Sequence, residues 1–218
     1  MDKNPWEKLT RDNFVLDTDK FVIEEFNRTV LNPDYRIFLD QPPVPFVGNP
    51  AAQVVFLNLN PGYQKEDTEL YRRKEFLDRA LDNLAHRNRE FYFLDESCRD
   101  NSGYRWWTQK MKLPIKEVGL QKVIKNLFVI EYFPYHSKRF RPMNELLASQ
   151  YYGLELVRKA IERKALIVAM RSRKRWLESI PELNGYSLLC TLKNPQCAVV
   201  SRNNFNGNFD ELIKNLHQ

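Results

Sequence analysis

Glycine is scarce in this chain, with 7 among 218 residues, and no G-x-S-x-G, G-x-x-x-x-G-K-[ST] or G-x-G-x-x-G pattern occurs. Nucleophile elbows and backbone phosphate cradles need such glycines to bring main chain close to a ligand, which weakens an α/β-hydrolase or nucleotide-modifying reading. The 3 cysteines, Cys98, Cys190 and Cys197, lack C-x-x-C spacing. They assemble neither a zinc set, nor a disulfide framework, nor a four-cysteine iron-sulfur cluster, so no metal and no cofactor is expected. No run approaches the ~18 apolar residues of a membrane span, and no membrane partner is expected. The opening Met1-Asp2-Lys3-Asn4-Pro5-Trp6 has neither the apolar core nor the cleavage site of a signal peptide, so the expected location is the cytoplasm, or the nucleus in a eukaryote.

What is present is enough hydrophobic residue, 43%, for one substantial core, and the expectation is a single domain over 1–218 with residues 1–50 forming a helix and an extended arm. The formal charge is +6. That sign suits a polyanionic partner without identifying one. Basic residues gather in Lys138-Arg139-Phe140-Arg141 and Arg171-Ser172-Arg173-Lys174-Arg175, each directly after an apolar run. In an open parallel sheet the segments that follow strands lie along the ligand-binding edge.

Those runs, Val54 to Leu59, Leu127 to Phe133 and Ala165 to Met170, have the length and the Val, Ile and Phe content of strands covered on both faces. Ser187 to Leu192 and Cys197 to Val200 read as further strands. Apolar residues at spacings of three and four predict helices over Asp19 to Thr29, Glu66 to Arg87, Val118 to Lys125, Asn144 to Lys164 and Phe209 to Leu216. Asn101 to Met111 reads as a short helix with Trp106 and Trp107 turned inward, although stacked bases would use the same residues. The prolines of Gln41-Pro42-Pro43-Val44-Pro45-Phe46 force an extended path, read as a packed surface arm. The alternation predicts right-handed crossovers and a layered α/β/α fold.

Three segments carry chemistry. In Asn58-Leu59-Asn60-Pro61-Gly62, Pro61 pushes Asn60 out of the helical region and Gly62 permits a tight turn, which aims the Asn60 amide into a cleft where it can accept from a water and donate to a ligand. An ordinary strand-terminating turn accounts for the same five residues. In Phe128-Val129-Ile130-Glu131-Tyr132-Phe133-Pro134-Tyr135-His136, a carboxylate lies within an apolar strand. Glu131 must then meet a donor at the strand end or hold a raised pKa, a salt bridge to an arginine being the plain alternative. His136 reads first as a hydrogen-bonded loop histidine, with a role in the site as the alternative. Lys193-Asn194-Pro195-Gln196 and Ser201-Arg202-Asn203-Asn204-Phe205-Asn206-Gly207-Asn208 are polar loops suited to phosphates and base edges, and equally to connection.

Taken in order, over roughly residues 50 to 216, these segments resemble the uracil-DNA glycosylase superfamily, nearest its single-strand-selective monofunctional and mismatch-specific branches. Asn58-Leu59-Asn60-Pro61-Gly62 is similar to the first family motif, the strand from Phe128 to Pro134 to the one carrying the base-reading residue, and Lys193-Asn194-Pro195-Gln196 to the tail of the final motif loop. The resemblance implies a three-layer α/β/α fold around a central, mainly parallel four-stranded sheet, and base flipping followed by attack of a water held by Asn60 on the sugar, without metal. Asn60 and His136 are then the expected catalytic residues, and Asn58, Gly62, Tyr63, Glu131 and Phe133 the base-binding ones. Lys138, Arg139, Arg141, Arg171, Arg173, Lys193, Ser201, Arg202 and Asn203 are expected to bind nucleic acid. The implied partner is DNA, single-stranded or damaged, met by a monomer.

Two departures stand out. Glu131 replaces the family's base-reading Asn, and an ionised carboxylate can only accept, which favours base edges that present donors over uracil. Leu189-Cys190-Thr191-Leu192 lacks the His that opens the family's final loop, which leaves His136 or Arg202 to supply positive charge. The implied function is removal of a modified or mismatched base by N-glycosidic hydrolysis. The alternative is a catalytically inactive nucleic-acid- or nucleotide-binding module of the same fold.

Overall fold

A computed structural model describes residues 3–218. In chain order it contains helix α1 (Asp17–Thr29), strands β1 (Phe46–Gly48) and β2 (Val54–Asn58), and helices α2 (Lys65–Tyr71), α3 (Lys74–Leu84), α4 (Ser102–Lys110), α5 (Lys112–Val118) and α6 (Leu120–Asn126). Strand β3 (Leu127–Glu131), helix α7 (Gln150–Glu162), strand β4 (Leu166–Ala169), helix α8 (Arg173–Ser179), strands β5 (Leu189–Leu192) and β6 (Phe205–Asn206) and helix α9 (Phe209–His217) follow.

The strands form one mixed sheet of six in the order β1-β3-β2-β4-β5-β6. Its four inner strands are parallel, as the continuous apolar runs of β2, β3 and β4 predict, while β1 pairs antiparallel with β3 and β6 antiparallel with β5. The expected four-stranded sheet is thereby corrected. The two added edge strands are only three and two residues long, one behind a proline run and one inside a polar loop, too short for an alternation to register. Cys197 to Val200, expected as a strand, completes a turn at Cys197 and continues without regular structure. Asn194 Oδ1 accepts from the Gln196 and Cys197 amides, and Ala198 takes a left-handed φ of 53°.

Period two divides the inner strands between two cores. Val55 and Leu57 of β2 and Phe128 and Ile130 of β3 join Ile23 of α1 and Leu154, Val157 and Ala160 of α7. Val54 and Phe56, with Leu127 and Val129, join Trp107 of α4, Val123 and Ile124 of α6, and Leu212 and Leu216 of α9. Burial on both faces is what the unbroken apolar runs require.

Three helix boundaries differ from the expectation. Residues 66–87 form two helices, because Tyr71 and Phe76 pack edge to face at 4.9 Å, whereas positions five apart on one helix would lie about 140° apart. Gly119, at φ 87°, separates α5 from α6. Helix α7 begins at Gln150, whose Oε1 accepts from the Leu147 amide and holds the preceding turn. The proline arm is buried: Val44 N donates to Pro134 O at 2.8 Å and Glu131 N to Pro45 O at 3.0 Å, so it lies against the end of β3 instead of on the surface.

Candidate nucleobase-sized cavity

The chain leaves β2 to build β3 on one side, then crosses back to build β4 on the other. Ligands of open parallel sheets bind beyond the carboxyl ends of the strands where the order reverses in this way. A cavity of about 300 Å³ lies there, lined by Asn58 at the end of β2, Glu131 at the end of β3 and Arg171 just after β4. Small-molecule sites run from about 300 to 1,000 Å³, so this one suits a single ring system.

Register explains the first two residues. Asn58 and Glu131 are partners in the parallel β2–β3 ladder, and register partners project to the same face, here the face of Phe56 and Val129. Asn58 Nδ2 donates to Glu131 Oε1 at 2.9 Å. Asn58 is held in turn, its carbonyl accepting from the Trp176 indole at 2.8 Å. Glu131 is 8% exposed. Desolvation raises its pKa from 4.5 to about 8, against the opposing effects of the Asn58 hydrogen bond and the Arg171 charge. Both sequence-level alternatives for this carboxyl, a donor at the strand end and a raised pKa, are therefore present. Asn58 Oδ1, Glu131 Oε2 and Arg171 Nε are all buried without a hydrogen-bond partner, and all belong to residues of this one cavity.

Asn60 lines the same cavity. Its Nδ2 donates to Pro61 O and Ser137 Oγ, both at 3.0 Å, so the amide nitrogen is committed and Oδ1 is left to accept. That supports a water but not the expected donation to a ligand. Gly62 lies in the wall beside Asn60 and bridges Ser137, with an ordinary φ and open space at its Cβ, so the turn does not use the glycine conformation expected of it.

His136 also lines the cavity, but its two ring nitrogens face the carbonyls of Gly62 at 2.8 Å and Pro42 at 3.0 Å. Burial lowers its pKa, against those two carbonyls. It ties the Asn-Pro-Gly turn to the proline arm, as the hydrogen-bonded loop histidine of the residue-level reading, in place of the catalytic role that the resemblance implied.

Two expected base-stacking residues lie elsewhere. Tyr63 stacks flat on Phe38, centroids 3.6 Å apart, and its hydroxyl donates to Asp40 at 2.9 Å. Phe133 packs edge-on against Tyr135 and Phe140 in the opposite core, because the ladder ends at Glu131 and alternation no longer sets direction beyond it. The aromatic wall comes instead from Trp106, Trp107, Phe93 and Tyr71. The Trp pair was legible as inward-facing; Phe93 and Tyr71 carry no local signal. Asp67 of α2 was missed as well, being indistinguishable in sequence from the polar face of a helix. It lines the cavity and accepts from the Ser102 amide at 3.0 Å and from the Ser102 hydroxyl, which fixes the N-terminus of α4 against α2.

Of the basic residues, Lys138 and Arg171 reach the cavity, and the Arg171 guanidinium lies 5.5 Å from the Trp106 ring centroid. Arg139 covers Tyr35, and Arg141 and Arg173 are exposed on the segments after β3 and β4. Lys193, Ser201 and Asn203 lie in the loop joining β5 to β6, which touches the rim where Arg171 Nη2 meets Gln196 O at 3.4 Å. Arg202 pairs with Asp210 at 2.7 Å and Glu117 at 3.9 Å outside the cavity, and is not its charge donor. No group of three His, Cys, Asp or Glu among the described residues could hold a metal ion, and no helix there is long and apolar enough to cross a membrane. Comparison with protein-family models, curated proteins and solved structures finds no match to this chain.

Proposed function

We propose that the chain is a divergent monofunctional DNA glycosylase with a three-layer, uracil-DNA glycosylase-like fold. In this reading it acts as a monomer on cytoplasmic or nuclear DNA, removing a modified or mismatched base after flipping it from a single-stranded or damaged site. One observation carries the reading: the Asn60 amide and the Glu131 carboxyl share a cavity sized for one ring, at the carboxyl edge of the sheet.

The flipped base enters between the polar wall of Asn58 and Glu131 and the indole wall of α4. A water accepted by Asn60 Oδ1 attacks the anomeric carbon as the C–N bond breaks. Its oxygen forms the new bond, the bonding pair leaves with the base, one water proton passes to solvent and the base takes up another. Arg171 stands where negative charge develops on the departing ring, the task expected of His136. Lys138, Arg139, Arg141 and Arg173 grip flanking phosphates, so affinity falls with salt.

A second reading, a binding module without turnover, is favoured by one feature: His136 is tied to two carbonyls and the β5 segment supplies no histidine. Oligonucleotides each carrying one lesion, incubated with the protein and then treated with alkali, separate the two. Strand scission that Asn60→Ala abolishes supports the glycosylase. Salt-sensitive binding with no scission across a broad panel supports the module.

A further inference from the structure

Buried polar atoms are paired in folded proteins, and the exceptions point to ligands. Three such exceptions converge here, and the sheet fixes their sequence in space: Glu131 on β3, Asn58 on β2, Arg171 after β4. Asn58 Oδ1 can only accept and Arg171 Nε–H can only donate, whereas Glu131 Oε2 donates when protonated and accepts when ionised. Because Oε1 is already occupied by the Asn58 amide, the proton of the neutral acid belongs on Oε2.

We propose that Glu131 is the specificity-determining residue of this cavity and that its proton decides which base edge is accepted. The neutral acid completes a donor-acceptor-donor row, the complement of the carbonyl, imino and carbonyl groups of a uracil-type imide. The carboxylate makes the row acceptor-acceptor-donor, the complement of the amino, imino and carbonyl groups of a guanine-type ring. Exchanging one proton therefore exchanges the matching ring class without moving a side chain. Mismatched edges are penalised because they leave a buried polar atom unpaired, an effect worth far more than a missing methylene.

The other ionisable groups around Glu131 leave the switch to this carboxyl. Arg171 and Lys138 are the cationic side chains of the cavity wall. Burial lowers the pKa of His136 and raises the Tyr71 phenol well above its ordinary value, so both move away from the range in which Glu131 titrates. The Asp67 carboxylate is engaged by Ser102. With Glu131 titrating near 8, the wild-type window lies where proteins are ordinarily handled.

This inference rests on the nucleobase reading of the cavity but not on turnover. The full chain is titrated with deoxyguanosine and with deoxyuridine by calorimetry, from about pH 6 to about pH 8.5. Deoxyguanosine affinity rises about fivefold between pH 7 and pH 8, while deoxyuridine affinity falls about twofold. Glu131→Gln, fixed as a neutral group, keeps the deoxyuridine preference and shows no such pH dependence. Parallel pH profiles for the two nucleosides in the wild type overturn the proposal without any variant, as does divergence that survives in Glu131→Gln. Binding of neither nucleoside overturns the cavity assignment itself. Crossed profiles in a protein with no glycosylase activity uphold the switch and remove only the catalytic reading.

Discussion

Asn58 and Glu131 close the carboxyl ends of adjacent parallel strands with a 2.9 Å hydrogen bond, and the ladder that makes them register partners also makes them neighbours in the cavity wall. A carboxyl placed so deep stores a pH-dependent cost. Its pKa rises from 4.5 in the ordinary range to about 8 on folding, so between those values the folded chain holds a proton that the unfolded chain has released. The contribution of this group is fully present below about pH 4.5 and is lost as pH rises through about 8, at roughly 1.4 kcal/mol per pH unit in between. Glu131→Gln keeps the shape and removes the titration. The variant therefore gains on the wild type as pH rises, the difference in melting temperature at pH 8 exceeding that at pH 5. Equal differences at the two pH values would show that Glu131 is not buried as described.

Trp176 supports the same wall from behind. It is 1% exposed, and its indole donates to the Asn58 carbonyl at 2.8 Å. Trp176→Phe leaves that buried carbonyl short of its best donor and opens space beside Tyr132, whose ring lies edge-on at 5.2 Å. A loss of about 1–3 kcal/mol for the unmet hydrogen bond, increased by the cavity, is expected in urea unfolding. Ligand affinity should fall with it, because the backbone that aims Asn58 is no longer pinned. A variant as stable as the wild type would remove Trp176 from the support of the site.

The inner sheet was legible because Val54 to Asn58, Leu127 to Glu131 and Leu166 to Ala169 are covered on both faces, and that coverage prints itself as continuous apolar runs. Asn60 and Glu131 were legible because each broke a local rule, one by preceding Pro-Gly and the other by placing a carboxyl among Ile, Val and Tyr. Tyr63 and Phe133 were misplaced because aromatic type does not encode direction once a ladder ends. Arg171 was read as a phosphate ligand, since only the crossover from β3 to β4 brings it against Trp106 and the cavity. Asp67 and Phe93 reach the site through tertiary packing that leaves no trace in spacing.

Gly48 is a test of the edge that the sequence concealed. It ends β1 at φ 104°, and a Cβ there would sit 2.2 Å from the Leu127 carbonyl oxygen. That atom is backbone in the first pair of an inner strand and cannot swing aside. Gly48→Ala therefore combines left-handed strain with a main-chain clash, and a loss of at least about 2 kcal/mol, with the melting transition lowered correspondingly, is expected. Gly62→Ala is the control: nothing lies within 4 Å of its added Cβ, and its stability should stay within about 0.5–1 kcal/mol of the parent. Similar losses in both variants would contradict the pairing of β1 with β3.

Ser137 offers the sharpest separation of positioning from folding. Its hydroxyl accepts from Asn60 Nδ2 at 3.0 Å, and with Pro61 O it fixes the amide so that Oδ1 stays free to accept, from a water in the proposed reaction. Removing the hydroxyl leaves the amide with one neighbouring carbonyl and allows it to rotate about its terminal torsion, which points nitrogen instead of oxygen at the water for part of the time. In the proposed glycosylase reaction, Asn60→Ala is expected to cut single-turnover cleavage of the preferred lesion by about a hundredfold or more, since it removes the acceptor for the attacking water. Ser137→Ala should cut it by about tenfold, with oligonucleotide affinity unchanged and stability lowered by no more than about 1.5 kcal/mol. Ser137→Thr, which restores a hydroxyl, should recover most of the rate. A Ser137→Ala protein as fast as the wild type in that reaction would mean that Asn60 holds its orientation without this partner, whereas a loss of affinity in step with the rate would place Ser137 in substrate binding.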